Sequence, residues 1–214
     1  MLYFHTDERV TKELFLYVYH QLQDQELMDY PFHYIIKSKK QEFYETYVES
    51  RKGYSAGIKI KSKDAPSEKI SRLEEFDLSE KQMFISKVCD YYGCCEDKLK
   101  KQNHPHLKTQ LKNLQKEHTL FLKNPDFRYQ DIFQKHPSYC FTEGDPMSGD
   151  EIRQIRKQIK ELTGTTLDYE DPLLQLLKRG IGLYVNSLPD VYNWTVQRLL
   201  SQKKLGIVIS DRTL

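Results

Sequence analysis

The pattern of apolar and polar positions divides the chain into short apolar runs separated by helical stretches. Met1-Leu2-Tyr3-Phe4-His5 is apolar and aromatic and enters a polar corner at Thr6-Asp7, which predicts a buried strand feeding a helix. From Asp7 to Met28 the apolar positions Val10, Leu14, Phe15, Val18, Leu22 and Leu27 recur mostly at helical spacing, with Thr6 or Asp7 as N-cap. Pro31 ends that pattern. Phe32-His33-Tyr34-Ile35-Ile36 reads as a further strand, and Phe43, Tyr44, Tyr47 and Val48 then return to helical spacing.

From Gly53 to Glu68 the sequence turns to Gly, Ser, Lys and Pro, which predicts a mobile surface loop and a boundary. Asp77-Leu78-Ser79-Glu80 then opens a helix whose apolar face is Met83, Phe84, Ile85, Val88 and Tyr91, and which Gly93 is expected to end. A second helix runs from Pro105 to Lys123, with Leu107, Leu111, Leu114, His118 and Leu122 on one stripe.

The carboxyl side is punctuated more sharply. Ser148-Gly149-Asp150-Glu151 precedes Ile152, Ile155, Ile159 and Leu162, and Gly164 follows as the terminating residue. Asp171-Pro172 supplies an N-cap and a first-turn proline for Leu173, Leu174, Leu176 and Leu177, and Gly180 closes that helix. A strand is predicted from Ile181 to Val185 and another from Leu205 to Ile209. Between them lies a helix carrying Val191, Trp194, Val196, Leu199 and Leu200, with Trp194, Leu199 and Leu200 assigned to its packed face. This order predicts an α/β layer with a helical insertion after its first strand. Only Ser210 to Leu214 follow the last strand, so the sheet is expected to be incomplete.

Composition narrows the class. The chain has 214 residues, 30% charged and 38% hydrophobic, and its mean hydropathy is -0.72. Fifteen Tyr and ten Phe argue against wholesale disorder. With 33 basic and 31 acidic residues the net charge is +2, so any attraction to nucleic acid must be local. No apolar run reaches the length of a membrane span, and Cys89, Cys94, Cys95 and Cys140 do not form a secreted disulfide framework. A soluble, cytoplasmic chain with no membrane partner is expected.

The segment Asp171-Pro172-Leu173-Leu174-Gln175-Leu176-Leu177-Lys178-Arg179-Gly180-Ile181-Gly182 resembles a stretch of the superkiller-type superfamily 2 helicases, closest to the interferon-induced DExD/H-box subgroup. In those proteins a short helix precedes an Arg-Gly-Ile-Gly turn, a His-His pair, a helix and a strand running into motif V. The order is kept here through Tyr184-Val185, the Trp194 helix, Gly206 to Ile209 and Asp211-Arg212-Thr213-Leu214. Tyr184-Val185 stands in place of His-His, Asn186-Ser187 in place of a small pair, and Asp211 in place of the first Thr of motif V. Leu2-Tyr3-Phe4 and the helix after it resemble the first strand and helix of the second RecA-like domain.

The resemblance implies an incomplete RecA-like parallel sheet with a helical insertion: residues 1–52 would start the domain, 53–147 form the insertion and 148–214 continue it to motif V. It further implies a fragment of an ATP-dependent helicase that lines an RNA or DNA track and meets the first RecA-like domain of the parent. ATP and Mg²⁺ would belong to that intact parent, with no catalytic residue in this chain. His5, Thr6 and Thr213, at strand ends, would be the nucleic-acid contacts. The alternative is a helical adaptor that binds a protein or RNA.

The residues themselves set limits on other chemistry. A phosphate loop needs a Gly-rich turn ending in Gly-Lys-Ser/Thr, and none is present; the turns at Glu143-Gly144-Asp145 and Thr163-Gly164-Thr165-Thr166 lack the lysine. Cys89, Cys94, Cys95 and Cys140 with His104 and His106 have poor zinc spacing, because adjacent Cys94 and Cys95 point apart on regular backbone. Free thiols are expected, and no metal. Nothing marks a cysteine, Ser187 or Ser210 as an activated nucleophile. Lysine clusters at 37–40, 59–63, 98–101, 108–116 and 203–204 are candidate phosphate contacts, with Tyr91, Tyr92 or Phe121 nearby to stack bases. Interleaved acidic residues make most of them solvated helix faces.

Overall fold

The computed structural model describes residues 1–57, 65–101 and 105–211, with side chains described outside 58–68, 102–106 and 212–214. In chain order the elements are β1 (Leu2–Phe4), α1 (Glu8–Asp29), α2 (His33–Gly57), α3 (Ala65–Lys101), α4 (Pro105–Lys123), α5 (Gly149–Thr163), α6 (Pro172–Leu177), β2 (Ile181–Tyr184), α7 (Asp190–Ser201) and β3 (Ile207–Ser210). A 3-10 turn lies at Pro137–Tyr139. The chain forms two compact units, one of Met1–Met28 with Phe133–Leu214 and one of Asp29–Ile132. The helical unit thus begins earlier, and ends earlier, than the expected insertion at 53–147.

In the first unit the three strands form one parallel sheet in the order β1-β3-β2. Leu2, Tyr3 and Phe4 pair with Val208, Ile209 and Ser210, and Ile181 to Tyr184 pair with Ile207 to Ser210. Parallel neighbours require a crossover, which α7 supplies between β2 and β3. All four β2 residues are buried although they point alternately to opposite faces, so helices cover both sides there. The core gathers Phe15 of α1, Ile152, Ile155 and Ile159 of α5, Leu174, Leu176 and Leu177 of α6, and Tyr192, Val196 and Leu199 of α7.

Local signals account for the helix ends. Ser148 Oγ accepts from Glu151 N–H while the Glu151 carboxylate accepts from Ser148 N–H, a reciprocal capping box. Asp171 Oδ1 accepts from Leu173 N–H at 2.9 Å. Gly164 ends α5 with a φ of 72°.

Gly180 has a φ of 80°, and a Cβ there would lie 2.4 Å from the Phe141 carbonyl oxygen. Gly206 is crowded by the same oxygen, at 2.3 Å from an added Cβ, and its N–H donates to that oxygen at 2.7 Å. Phe141 N–H donates in turn to Arg179 O at 2.6 Å. The two glycines therefore let the Phe141 backbone close over the amino ends of β2 and β3.

Four expectations are corrected. Phe32 to Ile36 forms no strand: α2 begins at His33, because a short apolar run has no periodicity of its own and here continues into Phe43. Gly93 does not end a helix, since α3 runs through it to Lys101 and buries Val88, Tyr92, Cys95 and Leu99. β1 is exposed, not buried, because it is an edge strand with no neighbour on its outer side. Trp194 is 63% exposed and Leu200 partly so, whereas Leu199 is buried as expected; α7 turns Tyr192, Val196 and Leu199 inward.

The second unit packs α2, α3 and α4 around Ile36, Phe84, Val88, Tyr92, Leu114 and Phe121. Both ends of the expected loop at 53–68 are helical, with α2 reaching Gly57 and α3 starting at Ala65; residues 58–64 lie outside the described residues. No helix among the described residues is long and apolar enough to cross a membrane.

Candidate functional site

Parallel strands that share a direction bring their carboxyl ends to one edge of the sheet. His5 follows β1, Asn186 and Ser187 follow β2, and Asp211 follows β3. His5 N–H donates to Ser210 O at 3.0 Å and Asp211 N–H to Tyr184 O at 3.3 Å, so the ladder continues one step into this edge. Ser210 Oγ, fully buried, donates to Tyr184 O at 2.9 Å and ties the same two strand ends.

The β1–α1 corner is shaped by its own polar residues. Asp7 N–H donates to His5 Nδ1 at 3.0 Å, and Asp7 Oδ1 accepts from Arg9 N–H at 2.8 Å. Thr11, buried one turn on, donates from Oγ1 to Asp7 O at 3.0 Å. Thr6 is exposed at the corner.

Glu8, Lys12, Ser187 and Asp211 link that corner to the β2 and β3 ends. Lys12 Nζ lies 2.7 Å from Glu8 Oε1 and also donates to Ser187 Oγ. Asp211 Oδ2 accepts from Asn186 N–H at 3.3 Å. The Lys12 ammonium, then the Ser187 hydroxyl, hold the Glu8 carboxyl below its ordinary range against a smaller opposing effect of burial. Asn193 of α7, buried, donates from Nδ2 to Val185 O at 2.9 Å and so fixes the loop that carries Asn186 and Ser187.

Of the residues expected to contact nucleic acid, His5 and Thr6 stand at this edge, and Thr213 lies outside the described residues. Lys12, Glu8 and Asn193 were not singled out from the sequence. A spacing of four between Glu8 and Lys12 on the first turns of α1 was the available signal. Tyr184 and Val185 are buried in the core, so they do not face a ligand.

The lysine clusters divide. Lys39 pairs with Glu42 at 2.6 Å, Lys37 donates to Asp131 O at 3.2 Å, and Lys40 Nζ sits 4.4 Å from the Phe121 ring centroid. Burial pushes the Lys40 ammonium below its ordinary pKa. Tyr92 and Phe121 are core residues, with Tyr92 stacked on His118 at 4.8 Å, so neither offers a face to a base. Lys100 pairs with Asp97 at 3.3 Å, and Lys204 bonds Glu151. Lys108, Lys112 and Lys116 are exposed along α4; Lys59, Lys61 and Lys63 lie outside the described residues.

All four cysteines are free: Cys94 is exposed and Cys95 buried, the divergence that adjacency on a helix imposes. The side chains of His104 and His106 lie outside the described residues.

Comparison with protein-family models, curated proteins and solved structures gives no match. What the edge can do therefore rests on its own geometry. Its carboxylates accept from Arg9 N–H, Lys12 and Asn186 N–H, the Ser187 hydroxyl is held between Lys12 and Glu8, and the Thr6 side chain is exposed at the corner. Hydroxyl and imidazole groups at such an edge can hydrogen-bond a strand's phosphate or sugar oxygens, while the three carboxylates are only partly offset by Lys12.

Proposed function

We propose that the sheet-bearing unit is part of the second RecA-like domain of a superfamily 2 helicase and that its carboxyl edge contacts a single nucleic-acid strand. The parallel sheet is the observation that carries this reading. Strands from the two ends of the sequence pair in one sheet, β1 with β3 and β3 with β2, and their carboxyl ends deliver His5, Thr6, Asn186 and Ser187 to one edge. In open α/β sheets that edge is where ligands bind. Side chains at this edge would position a backbone through hydrogen bonds, with RNA or DNA sequence left unread.

ATP and Mg²⁺ belong to the intact motor in this reading, and the residues present do not fit them. The helix that follows the Gly144 turn, α5, opens with Asp150 and Glu151, and Glu151 closes its own cap on Ser148. A phosphate placed there would meet carboxylates in place of free N–H groups and a lysine. In this reading the first RecA-like domain would supply the phosphate cradle.

Fluorescence anisotropy with a labelled single-stranded RNA tests the reading on the full chain. The double variant His5→Ala/Thr6→Ala is expected to bind about five- to tenfold more weakly, the effect of losing one or two hydrogen bonds. Unchanged affinity contradicts it. A second reading, a helical adaptor, draws on the separate core of Asp29–Ile132, and it takes precedence if RNA binding survives at the edge variants but a protein partner is found on α2, α3 or α4.

A further inference from the structure

The helical unit carries a groove that the sheet edge does not explain. Its volume is about 570 Å³, and it is lined by Tyr44, Tyr47, Val48, Arg51, Lys52 and, from α3, Lys69, with Ser55 and Ala56 at its end. That volume falls within the range of small-ligand sites. On α2 the lining positions recur every three or four residues, so they form one stripe of the helix, which starts aromatic and ends basic.

The stripe is held in place by contacts below it. The Tyr47 ring packs on Phe127 at 4.6 Å, and Tyr44 lies 5.8 Å from both rings. Tyr47 donates its hydroxyl proton to Asp77 Oδ1 at 2.9 Å, and Arg51 Nε donates to the same oxygen at 2.7 Å. Asp77 thereby fixes both side chains, but it occupies only the Nε of the guanidinium. A guanidinium has four further N–H donors in its fork, and among the described residues no hydrogen bond takes them. Lys52 and Lys69 are in no ion pair among the described residues. Three cations therefore line the groove, one of them, Arg51, paired with Asp77, in a chain whose overall charge is close to neutral.

Aromatic faces beside a cluster of cations match a molecule that joins a flat ring to a phosphate. We infer that this groove is a nucleotide-binding site, in which a base stacks on Tyr44 and Tyr47 while its phosphate is held by Arg51, Lys52 and Lys69. The chemistry is that of a nucleoside phosphate, free or as a unit of a single strand. The site is separate from the sheet edge and stands whether or not that edge binds nucleic acid.

Titration of the full chain with uridine monophosphate, with a labelled twelve-nucleotide uridine strand and with heparin tests it. The variants are Lys52→Glu/Lys69→Glu and Tyr44→Ala, with Lys157→Glu, an exposed residue of α5, as the charge control and circular dichroism confirming an unchanged fold. The expected result is nucleotide binding that falls at least about tenfold in the lysine pair and about fivefold or more in Tyr44→Ala, the loss of one stacked base. Lys157→Glu should bind as the parent does, and the edge variant His5→Ala/Thr6→Ala should keep its binding of uridine monophosphate. Tight binding of the strand with weak binding of the monophosphate assigns the site to a strand, and the reverse assigns it to a free nucleotide. Binding of neither, equal loss in Lys157→Glu, or heparin binding that ignores Tyr44 while nucleotide binding does the same, overturns the inference.

Discussion

Glu26 accepts a 2.5 Å hydrogen bond at Oε2 from Arg179 Nη2, across 153 residues of sequence, with both side chains almost wholly buried. The second carboxylate oxygen accepts from His136 N–H at 2.6 Å, and Arg179 Nη1 donates to Tyr139 O at 3.4 Å. Arg179 immediately precedes Gly180, whose backbone meets Phe141. The pair thus joins α1 to the segment that closes the amino ends of β2 and β3.

Removing one partner leaves the other charge buried and unpaired. Glu26→Gln and Arg179→Met are each expected to destabilise the chain by about 3–5 kcal/mol. The double replacement Glu26→Met/Arg179→Met should recover part of that loss, since an apolar pair of similar volume has no charge to desolvate, while His136 N–H and Tyr139 O lose a partner. Urea denaturation of the three variants checks this, and equal losses in the single and double variants would contradict it.

The same carboxylate sets an acid limit. Burial pushes the Glu26 pKa up, but the His136 N–H and the Arg179 guanidinium together outweigh it and leave the folded-state value below the ordinary 4.5. A lowered folded-state pKa contributes stability that is complete above the unfolded value and is lost as the pH falls through the folded one. The denaturation midpoint should therefore drop from about pH 4.5 downward. Glu26→Gln should flatten that part of the profile.

Lys135 should stand out chemically. Burial, then the Arg179 and Lys178 charges, lower its ammonium pKa to about 8. At pH 8 about half of it is neutral, against well under about 1% of an ordinary lysine. Brief acetylation with acetic anhydride at pH 7.5, read by peptide mass mapping, should label Lys135 well ahead of exposed Lys157. Labelling at or below the Lys157 rate would count against the lowered value.

Glycines separate by their surroundings. Gly180→Ala and Gly206→Ala place a methyl against the Phe141 backbone, and each should cost about 2 kcal/mol or more, Gly180 partly through its positive φ. Gly93 is mid-helix with open space around it, so Gly93→Ala should stabilise by about 0.5–1 kcal/mol. Thermal melts of the three variants give the comparison, and the signs are the point.

Much of the fold was legible where one residue decides a local geometry. Ser148 with Glu151, Asp171 before Pro172, and Gly164 each predicted the helix end that is observed. The failures are places where tertiary contacts outweigh a local preference. A lone glycine costs a helix only about 1 kcal/mol, so Gly93 yields to the burial of Val88, Tyr92, Cys95 and Leu99 on the same helix. Trp194 looked like a core residue by type, but α7 spends its inward face on Tyr192, Val196 and Leu199. The burial of β1 depended on what lies beside it, which three residues cannot encode. At the candidate site, His5 and Thr6 were readable as residues that follow a strand. The link from Lys12 to Ser187 spans 175 residues and was not, nor was the Arg51–Asp77–Tyr47 cluster, which joins two helices.

The sheet edge is tested most directly by photocrosslinking a 4-thiouridine-containing single-stranded RNA to the full chain and mapping the modified peptides. The account predicts crosslinks in the peptides carrying His5-Thr6 and Asn186-Ser187, lost on competition with unlabelled RNA. Crosslinks confined to the α2 groove, or to none of these peptides, would contradict the assignment of the carboxyl edge as a nucleic-acid contact.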